Sequence, residues 1–206
     1  MHIPDGFLNL EMVVTTQVVA LGALVPAVLK MNRRLNPERV PLLGLSAAFV
    51  FTAQLLSFPV PGGTSVHISG VVLASILLGP LSGYVITAAA LALQLFLFQH
   101  GGLSTYGANL VNMGLLPCLL GYWIYQIGKR IHPLLAAALA VWVTKIISAL
   151  LCAFELSYSG FLPLKSGLTA MGMAHVFAGL IEAMVTVTIL SLFMKLRGEL
   201  LDMEKL

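Results

Sequence analysis

Apolar residues run along this chain in blocks of membrane-spanning length, broken at short intervals by Pro, Gly and charge. A hydrocarbon layer about 30 Å thick takes about 20 residues of helix to cross. By that measure the pattern predicts seven helices, near 9–30, 40–58, 67–79, 81–99, 106–127, 133–155 and 171–195. The third is short for a crossing and meets the fourth at Gly79-Pro80. No long polar insert separates the blocks, so residues 1–206 read as one domain, an all-α membrane bundle with short connections. Small residues at Ala88-Ala89-Ala90-x-Ala92 and Ala136-Ala137-Ala138-x-Ala140 allow helices to approach closely, within the chain or against a partner.

Composition makes the bilayer the solvent. The chain is 59% hydrophobic and 9% charged, with mean hydropathy +0.98; a soluble domain carries about 25% charged residues. The net charge of +3 is a matter of topology, not of nucleic acid binding. Lys30, Arg33, Arg34 and Arg39 fall in the first loop, Lys129 and Arg130 in the fifth, and Lys195, Arg197 and Lys205 at the C-terminal end. With seven helices all three regions share one side, which the positive-inside rule makes cytoplasmic. The N-terminus and the 59–66, 100–105 and 156–170 loops are then expected on the outer face. Asp5 occupies the place of a basic signal-peptide region and no cleavage site follows, so the terminal amine is expected to stay free. Cys118 and Cys152 lie within apolar runs and read as packing residues.

That free amine matters because Met1 and His2 hold three potential metal-binding nitrogens: the α-amine, the His2 backbone nitrogen and the His2 imidazole. Together they can close two fused chelate rings around one cation, leaving a fourth donor to be found. His67 is the candidate. It follows Pro59-Val60-Pro61-Gly62-Gly63-Thr64-Ser65-Val66, a stretch too rich in Pro and Gly for helix and able to dip inward. Four nitrogens near a plane suit Ni(II) or Cu(II). Binding requires neutral amine and imidazole and loss of the backbone proton, so affinity should rise with pH. Pro4 stiffens the exit from the site, Gly6 permits a turn, and Asp5 can cap the first helix or bond an imidazole N–H. His100 and His175 read either as interfacial residues bonded to loop carbonyls or as support for the site; His132 falls at the other side.

Ionisable groups inside a membrane are functional hypotheses. Lys145 and Glu182 fall at matching depths of the last two helices, which predicts an ion pair or shared network, with a supporting or gating role for Glu182 as the second reading. Gln54, Gln94, Asn109 and Asn112 suit hydrogen bonds between helices. A membrane-embedded metalloenzyme, such as an intramembrane protease, would want His-Glu-x-x-His or Gly-x-Ser-x-Gly, and neither occurs. A channel or self-sufficient carrier would want polar rows in helix interiors that read as nearly all apolar. Nothing fits Gly-x-x-x-x-Gly-Lys-Ser/Thr, so an ATP-driven process would need separate ATPases.

The opening Met1-His2-Ile3-Pro4-Asp5-Gly6-Phe7-Leu8, the Gly63-Thr64-Ser65-x-His67 loop, and His100-Gly101-Gly102 followed by Gly107-x-Asn109 resemble the CbiM/NikM family. These are substrate-capture (S) components of energy-coupling-factor importers for nickel and cobalt. The resemblance implies a prokaryotic inner-membrane protein that is not itself an enzyme, with Met1, His2 and His67 carrying the metal. Asp5, Ser65, Gln94, His100, Asn109 and Glu182 are candidates for supporting positions around them. It further implies a transmembrane coupling (T) subunit, ATPase subunits and a small accessory membrane subunit; the early end after the last helix reads as the unfused form. Ni(II) is the expected substrate, with Ile3-Pro4-Asp5 bearing on the choice; a Co(II)-specific component serving cobalamin synthesis is the alternative. Capture on the outer face, closure of the loops after helices two and four, and partner-driven reorientation would complete the cycle.

Overall fold

The computed structural model describes residues 1–34, 40–60 and 64–196, without the side chains at 34, 59, 60, 64 and 65. Arg39, Arg197 and Lys205, used in the charge argument, and the Ser65 side chain lie outside the described residues. The helices are α1 (Leu10–Arg34), α2 (Val40–Leu55), α3 (Val71–Leu78), α4 (Pro80–Phe98), α5 (Tyr106–Gly128), α6 (Pro133–Tyr158) and α7 (Leu164–Leu196). Five of them, α1, α4, α5, α6 and α7, are long and apolar enough to cross a membrane; α2 is an apolar helix of 16 residues.

The largest departure from the hydrophobic pattern lies between α2 and α3. Helix two does not reach residue 58 and helix three does not begin at 67. Instead Ser57–Val60 (β1) and Thr64–His67 (β2) pair antiparallel, Ser57 opposite His67 and Phe58 opposite Val66. Pro59 denies the backbone donor a helix would need, whereas an edge of extended chain tolerates it. The hairpin shortens α3 to 8 residues, about 12 Å at 1.5 Å per residue, less than half a crossing. The opposite error occurs in α7, which starts at Leu164 and not at 171 because polar Lys165, Ser166 and Thr169 continue the helix beyond the apolar run.

Along α5 two π-helical turns, Val111–Leu115 and Pro117–Gly121, interrupt the α-helical register. Pro117 cannot donate its backbone bond, and wide turns of this kind re-aim side chains inside a helix. Here they bring Asn112 Nδ2 to the Glu155 carboxylate on α6. Side-chain to backbone bonds tie the other helices: Tyr84 Oη donates to Ala20 O at 2.8 Å, and Trp142 Nε1 to Val176 O at 3.1 Å. Ala136, Ala137 and Ala140 are buried against Val72, Leu73 and Ile76, so that small-residue run serves contacts within the chain. Leu10, Val14, Val18, Leu21, Val25 and Leu29 of α1 stay exposed, as suits a face turned to lipid tails.

The interior is more polar than the sequence pattern suggested. Ser75, Thr87, Thr144, Lys145, Ser148, Glu155, His175, Glu182 and Thr186 are all buried. Most are satisfied by their own helix or by one neighbour, as in Thr144 Oγ1 to Ala140 O at 2.6 Å. The bonds that leave a helix join Asn112 to Glu155, and Lys145 and Glu182 to each other and to the segment 67–70.

Candidate metal centre

The first eight residues fold back into one end of the bundle. Met1, His2, Ile3 and Leu8 are buried, Ile3 completely. The peptide is held by the turn after α4. Asn109 grips Ile3 at both backbone groups, accepting from Ile3 N at 2.7 Å and donating to Ile3 O at 3.0 Å. Thr105 Oγ1 also donates to Ile3 O. Asp5 accepts from Leu103 N at 3.0 Å, from Ser104 N at 2.8 Å and from the Ser104 hydroxyl. These donors hold the Asp5 carboxyl below its usual range. Asp5 therefore caps neither α1, whose Met12 N is bonded by Asn9 Oδ1 at 2.9 Å, nor an imidazole. The fit is close: a Cβ on Gly102 would come within 2.3 Å of Asp5 Oδ1 and 2.4 Å of Asp5 N. Gly6, at φ 84°, makes the turn toward α1 that an L side chain would resist.

His2 faces inward. Its Nε2 lies 3.0 Å from Gln94 Oε1, and Gln94 Nε2 donates to Gln54 Oε1 at 3.2 Å and to Phe51 O at 3.3 Å. Those two donations fix Gln94 with its oxygen toward the ring, so His2 carries its proton on Nε2 and keeps a lone pair on Nδ1. Nδ1 is the nitrogen that can close a six-membered chelate with its own backbone nitrogen.

His67 arrives from β2. Its ring centroid is 5.0 Å from that of His2, it is 2% exposed, and neither ring nitrogen has a hydrogen-bond partner. Buried imidazoles are otherwise paired, so both orphan atoms call for a ligand. The backbone around His67 is, by contrast, fixed. Lys145 Nζ donates to His67 O and to Glu182 Oε2, the latter at 2.7 Å, while Glu182 Oε1 accepts from Ser69 Oγ and from Gly70 N at 2.9 Å. The Lys145–Glu182 pair expected from depth matching thus forms, and it supports the loop that presents His67.

Burial pushes the Met1 amine down to about 5, against a smaller opposing influence of Cys152 and with a lesser contribution from Lys145. Burial likewise takes His2 to about 3, helped by the Met1 amine, and His67 well below its usual value, with the Met1 amine, Lys145, His2 and His175 reinforcing burial. All three groups are neutral bases at pH 7. Among the described residues no three His, Cys, Asp or Glu side chains form a metal cage. A cation held here would take donors from the chain terminus and backbone together with imidazoles.

His100 stands beside His2, ring centroids 5.5 Å apart, with Nδ1 buried and unpartnered. His175 is not interfacial: it is fully buried, and its Nδ1 meets Met171 O of its own helix at 2.8 Å, not a loop carbonyl. His132 caps α6 at the far end, accepting from Leu135 N at 3.1 Å. Glu182 reaches the site through the His67 loop. Sequence reading missed Thr105, Ser104, Ser69 and Gly70. The pairs Ser104-Thr105 after a Gly-Gly turn and Ser69-Gly70 before a helix were the available signals.

The whole arrangement has solved counterparts. A crystal structure of a truncated transition metal transporter matches with TM-score 0.89 at 29% identity, covering 95% of this chain and 99% of that one. A second transition metal transporter gives 0.88 at 30% identity, covering 95% and 93%. The fold is that of multi-pass membrane transport proteins. More narrowly, residues 2–200 match the cobalt uptake substrate-specific transmembrane region, and the chain belongs to that family, CbiM. It is the substrate-binding membrane component of a prokaryotic transition-metal import system. The cobalt transport protein CbiM of Sorangium cellulosum is 31% identical, with 98% of this chain and 95% of that protein covered. The fused nickel transport protein NikMN of Rhodobacter capsulatus is 31% identical over 98% of this chain, which spans 64% of its length.

Proposed function

We propose that this chain captures Ni(II) on the outer face of the cell membrane, through the Met1 amine, the deprotonated His2 backbone nitrogen, His2 Nδ1 and His67. The observation that carries the reading is His67: a buried ring with two unpartnered nitrogens, 5.0 Å from a His2 ring whose tautomer leaves Nδ1 available. Four nitrogens, one of them an amidate, favour a square-planar ion and so Ni(II) over Co(II). The relatives include both a nickel and a cobalt transport protein, and Co(II) is the alternative substrate.

The chain works as the S component of an energy-coupling-factor importer. ATP hydrolysis resides on separate ATPase subunits, joined by a transmembrane coupling subunit and a small accessory membrane subunit. The clustering of basic residues opposite the site supports an outward N-terminus and a cytoplasmic C-terminus. Gln94 orients His2, Asn109 and Asp5 hold the terminal peptide, and Glu182 acts through Lys145 on the His67 loop.

Metal content of purified native protein, compared with a form carrying one extra residue before Met1, tests the site; intact mass verifies each terminus. The native chain should hold stoichiometric nickel and the extended chain none, because extension turns the amine into an amide. Stoichiometric nickel on the extended chain would overturn the reading.

A further inference from the structure

The buried histidine that the site has not used is His175. Its Nδ1 lies 2.8 Å from Met171 O. A carbonyl only accepts, so Nδ1 carries the proton and Nε2 is a bare lone pair. That Nε2 is buried with no partner, on a fully buried residue. A buried acceptor left unpaired is destabilising. It calls for a donor nearby.

Chain geometry brings His67 to it. Gly70 N is pinned to the Glu182 carboxylate at 2.9 Å, and Lys145 bridges the same carboxylate to His67 O. From Gly70 back to His67 is three residues, about 10 Å of extended chain. From Glu182 back to His175 is seven helical residues, also about 10 Å, and seven residues return to the same helix face. β2, which carries His67, packs on α7, which carries His175. His67 and His175 therefore lie alongside each other, consistent with His175 adding to the field at the His67 ring.

Once a metal occupies one nitrogen of a neutral His67, the other must carry the proton, and that N–H needs an acceptor inside the protein. Metal-bound histidines are commonly oriented in this way by a partner on the remote nitrogen. Glu182 is already engaged by Ser69, Gly70 and Lys145, and His2 by Gln94. We infer that His175 is the positioning residue of the metal centre: its Nε2 accepts the N–H of metal-bound His67, selecting the His67 tautomer and aiming its other nitrogen at Met1 and His2.

This inference rests on the proposed site, and its test separates the two. Nickel affinity is measured for the native chain, the extended chain, His175→Phe, which fills the space without an acceptor, and His175→Gln, whose side-chain oxygen can accept. X-ray absorption counts the nitrogen ligands in each, and thermal unfolding of the metal-free forms confirms folding. His175→Phe should bind about 10–100-fold more weakly with the native ligand count, and His175→Gln should recover most of that loss. Affinity of His175→Phe within threefold of native, or no recovery by Gln, overturns the inference while the site stands. Loss of a nitrogen ligand in His175→Phe also overturns it, since His175 would then bind metal directly. Should both substituted chains fold poorly, the imidazole nitrogen shifts of the native nickel-bound protein decide instead: a His175 Nε2 not accepting a hydrogen bond overturns it. Nickel retained on the extended chain removes the site itself.

Discussion

The segment after α4 and the strand that carries His67 both meet the N-terminal peptide, and they treat hydrogen bonds in opposite ways. The turn after α4 supplies Leu103, Ser104 and Thr105, and the first turn of α5 supplies Asn109; these pair with Ile3 and Asp5 at both backbone and carboxylate. The hairpin after α2 delivers His67, whose backbone is bonded to Lys145 while both ring nitrogens are left unpaired. One holds the peptide; the other, on the proposed reading, binds the metal. A buried polar atom that is already paired must lose a bond to accept a metal, whereas an orphan atom gains one. Putting the satisfied bonds on the scaffold and the unsatisfied atoms at the ligand position is what preorganisation requires.

The sharpest way to break this contrast is His67→Ala, which should abolish stoichiometric nickel binding yet leave metal-free stability nearly unchanged. Removing an orphan ring relieves its desolvation and creates a cavity, two effects of opposite sign. Calorimetry in detergent and metal analysis check this together; a His67→Ala protein that keeps native nickel content would refute it. Next in size is the support beneath the hairpin. Lys145→Met leaves the Glu182 carboxylate buried without its cation, which costs about 3–5 kcal/mol. Adding Glu182→Leu should recover part of that loss in folded yield, and equal yields for single and double variants would rule out the pairing account.

On the holding side, Asn109→Ala removes both of its bonds to Ile3 and should cost about 1–3 kcal/mol. In contrast with His67→Ala it should lower thermal stability and nickel affinity together, the latter about 10–100-fold. A variant that loses affinity with an unchanged unfolding midpoint would show that the turn binds and does not merely hold.

How much of this was legible beforehand differs between the same two segments. Met1, His2 and His67 could be proposed as donors because their chemistry is written in residue type and spacing, and the structure buries all three and brings the His2 and His67 rings together. The helices could be placed because an apolar run of about 20 residues has one meaning in a bilayer. The pairing of Ser57–Val60 with Thr64–His67 could not be read from apolarity, since Val60 and Val66 continue the hydrophobic run while Pro59 sits in extended chain. Nor could the role of Asp5: from sequence it faces α1, yet the Gly101-Gly102 turn folds over it from about a hundred residues away. His175 looked interfacial because depth was counted from 171, and α7 begins about two turns earlier. Long-range pairing decides such residues, and local pattern does not carry it.

The smallest effect separates protein from peptide through pH. In the folded chain burial depresses two bases, the Met1 amine from 8.0 to about 5 and His2 from 6.5 to about 3. The unfolded chain takes up those protons first, so metal-free stability should fall as pH drops from about 8 through 5 for the amine, and from about 6.5 through 3 for His2. Between pH 6 and 8 both groups are already neutral in the fold, leaving the His2 backbone proton as the one that nickel must expel. Affinity should then rise about tenfold per pH unit, with release of about one proton at pH 7. A free peptide beginning Met-His-Ile, with its amine near 8 and imidazole near 6.5, should release about two. Titration calorimetry in buffers of different ionisation enthalpy counts these protons. Equal release by protein and peptide would mean that the terminal amine is not buried as a neutral base, and that the holding turn does less than its hydrogen bonds imply.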